Sequence, residues 1–362
     1  METNTSLGFV FILMGAVCGG SFGLPSKFAP KETPWEVLWG PFFLFVTILI
    51  PVGLFPFVVD GLFATCREAG WSLTIGPLAF GFLWGLGSMT LGLSFAFIGL
   101  SLAYAINYGA QIAFGAMGPM LIHSREDLTM THGYVIMAGV VICLLGVVVC
   151  GKAALLKSKG TEDQAADSKL NTSSMLKGLG VAFLSGILCA CYSVAFSFGD
   201  KVMAISTDAD SFANAGWKSA FVVTALILWG GAISSLAYCL FKLTKNKTWG
   251  QLTQAPIAKI LVIALIMALL HDGAILFWGL GAARLGALGV GVGYAVFMSF
   301  AIIVGNINGF LTGEWKGASQ QSIRWIAAGI LVLILGVSIL AKGNIMKGRS
   351  TTGIQQVETE NP

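Results

Sequence analysis

The sequence predicts an all-α membrane protein with ten transmembrane helices, arranged as two inverted five-helix repeats. Three observations predict it. Hydrophobic residues make up 56% of the chain and charged residues only 10%, where a soluble domain carries roughly a quarter charged residues. The few charges are grouped, leaving long windows with none. Short motifs also recur in the same order in the two halves.

A helix needs about 20 apolar residues to cross the hydrocarbon core. No charge falls in 7–26, 37–59, 69–122, 133–151, 178–199, 219–241, 285–313 or 325–341. The apolar runs are continuous, which favours helices over alternating barrel strands. The first span is 7–25. Only Glu2 precedes it as a charge, so the basic leader of a signal peptide is missing. The second span is 35–58. The window 69–122 holds two, 73–97 and 100–121, with a tight turn near Gly99. Next come 133–152, 178–199 and 215–241. Residues 257–282 form a span despite Lys259 and Asp272, and 286–312 and 323–342 complete the ten.

The longest hydrophilic stretch, 157–177, reads as a polar linker between a first repeat, 1–156, and a second, 178–345. Residues 346–362 read as a disordered polar tail. Gly15–Cys18 (GAVC) matches Gly186–Cys189 (GILC), and Trp84–Gly87 matches Trp278–Gly281, both WGLG. The fourth and ninth spans align through Gly99 with Gly289, Tyr104 with Tyr294 and Gly115 with Gly305. Five is odd, so the second copy enters with opposite topology. Two inverted halves that rock about a mid-membrane site make a transport architecture, and an enzyme is not expected. Thirteen of the 21 Lys and Arg residues follow odd-numbered spans, which puts both termini outside the cytoplasm. Glycines at small-xxx-small spacing, such as Gly81 and Gly85, suit close helix packing.

Ionisable residues at membrane depth mark functional positions. His271 and Asp272 lie in the middle of the eighth span, where inserting an Asp costs roughly 2.5–3.5 kcal/mol. A carboxylate there can take a proton from one side and release it to the other, so this pair is the expected proton-coupling site. The competing readings are a buried carboxylate paired with His271 or Arg284 for packing alone, and a pore-lining residue without coupling. Tyr104, Asn107, Tyr108 and Gln111 share one face of the fourth span by their spacing. Uncharged donors, acceptors and aromatic faces suit sugar hydroxyls and the apolar face of a sugar ring. Trp84, Trp278, Tyr294 and Asn306 join them as expected substrate contacts; the other readings are interhelical hydrogen bonding for the fourth-span residues and core packing or interfacial anchoring for each Trp. Asn306 and Asn308 are two apart, so at most one should face a cavity. Lys27, after Pro25, is expected to snorkel to the interface, with gating of the cavity as the second reading.

Other chemistries find no support. There is no phosphate-binding Gly-Lys-Ser/Thr motif and no HExxH. The formal GxSxG at Gly19–Gly23 sits at the end of an apolar helix, without the strand–turn–helix context of a nucleophile elbow. His123, His132 and His271 are too dispersed for a metal site, and the seven cysteines read as packing residues. No cofactor, metal or nucleic-acid partner is expected. The expected partners are a neutral solute, a proton or a sodium ion, and the bilayer.

Several segments resemble the bacterial L-rhamnose–proton symporter family. They are Gly15–Lys27, Pro34–Trp39 with Pro51, Gly81–Gly87, Leu91–Leu93, Ile98–Ser101, Ala283–Arg284, Met298–Phe300 and Glu314–Trp315. The resemblance implies a member of the drug/metabolite transporter superfamily in the bacterial inner membrane. It also implies sugar entry coupled to protons, with L-rhamnose or a related sugar as the solute. A carrier or exporter of another metabolite, linked to sodium or to exchange, stays open beside it. A sensor on a transporter-like scaffold is a more distant reading.

Overall fold

The computed structural model describes residues 5–162, 169–254, 256–285 and 292–360. Apolar sequence and lack of β-period alternation give helices throughout these residues. The first is α1 (Thr5–Ser21). Helix α2 starts at Trp35–Leu44 and runs on through a π-helical stretch, Phe45–Leu49, to Ile50–Gly53.

The continuous helical run Leu62–His123 is interrupted twice. Gly70 has φ 64° and Gly99 φ 80°, values that glycine adopts without penalty. The second break falls at the turn the sequence placed near Gly99. It separates α3 (71–98) from α4 (100–123). Helices α5 (Thr131–Glu162), α6 (Lys169–Ser197) and α7 (Gly216–Lys245) follow, with a short helix, Asp200–Thr207, before α7. The chain ends with α8 (Ile257–Leu285), α9 (Tyr294–Leu311) and α10 (Gln320–Glu360).

Among the described residues, nine helical stretches are long and apolar enough to cross a membrane. The break at Gly99 divides the longest, which makes ten. The start expected for the ninth span, 286–291, lies outside the described residues, as does 163–168 of the expected linker. The helical assignment of α10 continues to Glu360, across most of the segment 346–362 read from sequence as a tail.

Helix α1 packs on α8 and α9, while α6 packs on α3 and α4. Helix α2 packs on α7 and α8, α3 on α7, and α5 along α10. Small residues permit these approaches. A Cβ at Gly81 would collide with the Ile227 carbonyl, and one at Gly85 with Ser234 and Gly231. In lipid, close van der Waals contact of this kind is the main attraction between helices. On α8, Leu261, Val262, Leu265, Ile266 and Leu269 stay exposed on the outer face, where acyl chains are their natural solvent.

Candidate functional site

A cavity of about 420 Å³ lies among α1, α3, α4 and α6 to α10. Its floor, part-way through the bundle, is formed by Phe22, Ser88, Leu91, Tyr108 and His271. From there it extends toward one end only. Phe196 is next to the last residue of α6, Trp217 is the second residue of α7, and Tyr294 is the first of α9. These three mark the mouth.

Helical period explains which residues line it. On α6 the lining residues are Cys189, Tyr192, Ser193 and Phe196. On α8 they include His271, Ala274, Ile275 and Trp278. Both sets have spacings of three, four and seven, which is one face of a helix.

Of the residues the sequence singled out, Trp84, Tyr108, Gln111, His271, Trp278 and Tyr294 face this cavity. Trp278 and Tyr294 meet edge to face with ring centroids 6.4 Å apart. The Trp278 indole Nε1 is buried without a hydrogen-bond partner in the protein. Tyr108 donates from its hydroxyl to the Gly19 carbonyl at 2.8 Å, which fixes its ring in the wall.

Tyr104, Asn107 and Asn306 lie outside the lining. Tyr104 is fully buried and its hydroxyl accepts from the Gly23 N–H at 2.8 Å. Asn107 is turned toward α6, where Nδ2 donates to Ser185 Oγ at 2.8 Å. Asn306 donates from Nδ2 to the Ile302 carbonyl at 2.9 Å and accepts from the Ser101 hydroxyl. Asn308, which also lies outside the lining, donates to the Gly20 carbonyl at 3.0 Å. These four satisfy polar groups between helices. Spacing put the α4 residues on one face, but that face is split between the cavity and the α6 contact.

Asp272 is 5% exposed, and its Oδ1 lies 2.8 Å from His271 Nδ1. The imidazole ring faces the cavity and is surrounded by Phe22, Trp84 and Phe42, with ring centroids 5.4, 5.9 and 6.1 Å away. The other carboxylate oxygen, Oδ2, has no partner in the protein. Arg284, the other candidate partner of Asp272, instead lies over the Phe11 ring at 5.5 Å.

The sequence reading passed over Ser88, Tyr192, Ser193, Trp217 and Thr224, all of which line the cavity. Tyr192 and Thr224 hydroxyls share a hydrogen bond of 2.9 Å across α6 and α7. The three-four-seven spacing on α6, used for α4, was the signal that would have found Tyr192 and Ser193.

The fold and cavity define a polytopic helical membrane protein with an aromatic, solute-sized chamber open at one end. Comparison with known proteins makes the class specific. Residues 1–346 match the family model described as L-rhamnose-proton symport protein (RhaT), and the chain belongs to that family. The L-rhamnose-proton symporter of Mannheimia succiniciproducens is 27% identical over 353 residues, covering 95% of this chain and 99% of that protein. One from Yersinia pestis bv. Antiqua is 26% identical over 350 residues, with the same coverage. The family is thus one of membrane symporters.

Proposed function

We propose that the chain carries a small neutral polar solute, L-rhamnose or a related sugar, across the bacterial inner membrane by proton symport with alternating access. The observation that carries this reading is the cavity. Its volume lies within the roughly 300–1,000 Å³ of small-molecule sites. Its wall offers aromatic faces from Trp84, Trp278 and Tyr294 and an amide from Gln111. Rings stack on the apolar face of a sugar, and the polar groups orient its hydroxyls. His271 and Asp272 take the proton, with the imidazole linking the carboxylate to the chamber. Tyr104, Asn107 and Asn306 support the wall from behind.

The packing supports two inverted repeats, 1–156 and 178–345, joined by the linker 157–177. Helix α1 packs on α8 and α9, and α6, its counterpart five helices on, packs on α3 and α4. Helix α5 packs on α10, its own counterpart. Exchanging each helix with the one five further along leaves these pairings unchanged. This plan favours the drug/metabolite transporter superfamily. The Lys and Arg bias makes the closed end cytoplasmic and the mouth external, so the sugar and proton enter the chamber from outside.

The test is uptake of labelled L-rhamnose by proteoliposomes, with and without an inwardly directed proton gradient. Accumulation that needs the gradient is the expected result. Sugar flux indifferent to pH would remove the proton from the reading, and flux of a different metabolite class would overturn the sugar.

A further inference from the structure

We propose that Lys27 and Glu314 form a latch that holds the end of the bundle opposite the mouth shut. Which face of the carrier stands open is then set by two positioning residues outside the chamber. This rests on the alternating-access reading above.

Glu314 follows α9, and its side chain is 7% exposed. It accepts from the Leu100 N–H at 2.7 Å and the Ser101 N–H at 3.0 Å. These are the first amides of α4, which have no partner within the helix and favour a negative charge. Lys27 Nζ completes the set at 2.8 Å from Oε1. The sequence expectation that Lys27 reaches for the headgroups is therefore corrected, because a buried carboxylate holds it instead. The turn is shaped around that carboxylate. At Gly99, φ is 80° and a Cβ would stand 2.6 Å from the Glu314 carboxyl carbon.

The contacts join the two halves. Lys27 and Gly99–Ser101 belong to the first, while Glu314 and its neighbour Trp315 belong to the second. Trp315 donates from Nε1 to the Ser101 hydroxyl at 3.0 Å. A second buried carboxylate bridges the halves at the same end. Glu36, 1% exposed, accepts from Asn246 Nδ2 at 2.8 Å and Thr248 Oγ1 at 2.9 Å. The chamber stops short of both. For it to reach this face, the end of α9 must leave α1 and the α3–α4 turn, and Glu314 then loses three charge-assisted donors together. Water entering from the same face replaces them, so opening and rehydration are one event.

The test uses the full chain in right-side-out and inverted vesicles. Ser193→Cys, on the cavity wall, is labelled with a membrane-impermeant maleimide and read by peptide mass. In Lys27→Gln and Glu314→Gln, labelling from the mouth side slows and labelling from the other face quickens. The ratio of the two rates shifts by roughly tenfold, the scale of losing one charged hydrogen bond. Lys27→Gln leaves Glu314 on two backbone amides, so it decides the matter if Glu314→Gln fails to fold. Rates unchanged from both faces in Lys27→Gln overturn the latch. The assay needs no solute, so it stands apart from failure of the uptake experiment.

Discussion

His271 Nδ1 sits 2.8 Å from Oδ1 of Asp272, yet only the imidazole lines the chamber. Adjacent residues on a helix point about 100° apart, so one ring can face the solute while the carboxylate stays dry. The arrangement gives the carboxylate contact with the chamber only through its neighbour.

Asp272→Asn keeps the hydrogen bond to the imidazole but cannot bind and release a proton. Its expected phenotype is loss of accumulation driven by a proton gradient, with solute exchange across the membrane retained. Counterflow and gradient-driven uptake measured on the same vesicles separate the two. Undiminished accumulation in the variant would remove Asp272 from the coupling.

Trp278 presents a buried indole N–H that has no partner in the protein. Trp278→Phe keeps the ring face and deletes the donor. The N–H has no surface open to the chamber, so KM and kcat should both change little. Trp278→Ala removes the stacking face as well and should cost more. Initial rates of uptake against solute concentration check both.

Gly70 and Gly99 share a positive φ but not a neighbourhood. Nothing lies within 4 Å of a Cβ at Gly70, while one at Gly99 meets the Glu314 carboxylate. Gly70→Ala should therefore lose only the conformational term, about 1–3 kcal/mol. Gly99→Ala adds a clash at a buried ion pair and should lower the thermal unfolding temperature further. Equal shifts would mean that the carboxylate moves aside freely.

Asp127, in the turn between α4 and α5, holds Lys347 Nζ at 2.6 Å and His132 Nε2 at 3.2 Å. Burial pushes its carboxyl up, but the bonds from Lys347 and His132 outweigh it and hold the group below its usual value of 3.8. A lowered folded value means the stabilisation is present above that pH and is lost as pH falls through the folded value. Asp127→Asn should thus be less stable than the parent at neutral pH. The gap should close on acidification below about pH 4, as followed by thermal unfolding in detergent.

Much of the fold was legible because lipid makes helices declare themselves. A charge-free run of sufficient length has few other uses, and even the loopless turn at Gly99 could be placed. The site was legible in part. Trp84, Trp278 and Tyr294 stood out as repeat mates of large aromatic type. Tyr192 and Ser193 carried the same three-four-seven spacing as the α4 residues and were passed over, whereas Thr224 had no such signal, since hydroxyl side chains are common in spans and packing decides which face inward. Lys27 and Glu314 are the extreme case. Each sits at a helix end, where a charge is unremarkable, and nothing local announces that residues so far apart in sequence are bonded.

The seam between α5 and α10 has a mechanical corollary. Gly139 lies against Leu340, Gly146 against Leu333, Gly336 against Cys143 and Gly343 against Ile136, so the two helices notch into one another over several turns. Teeth meshed so closely resist shearing along their length. If the two halves rock as proposed, this seam is their axle, and distance from it sets how far each helix swings.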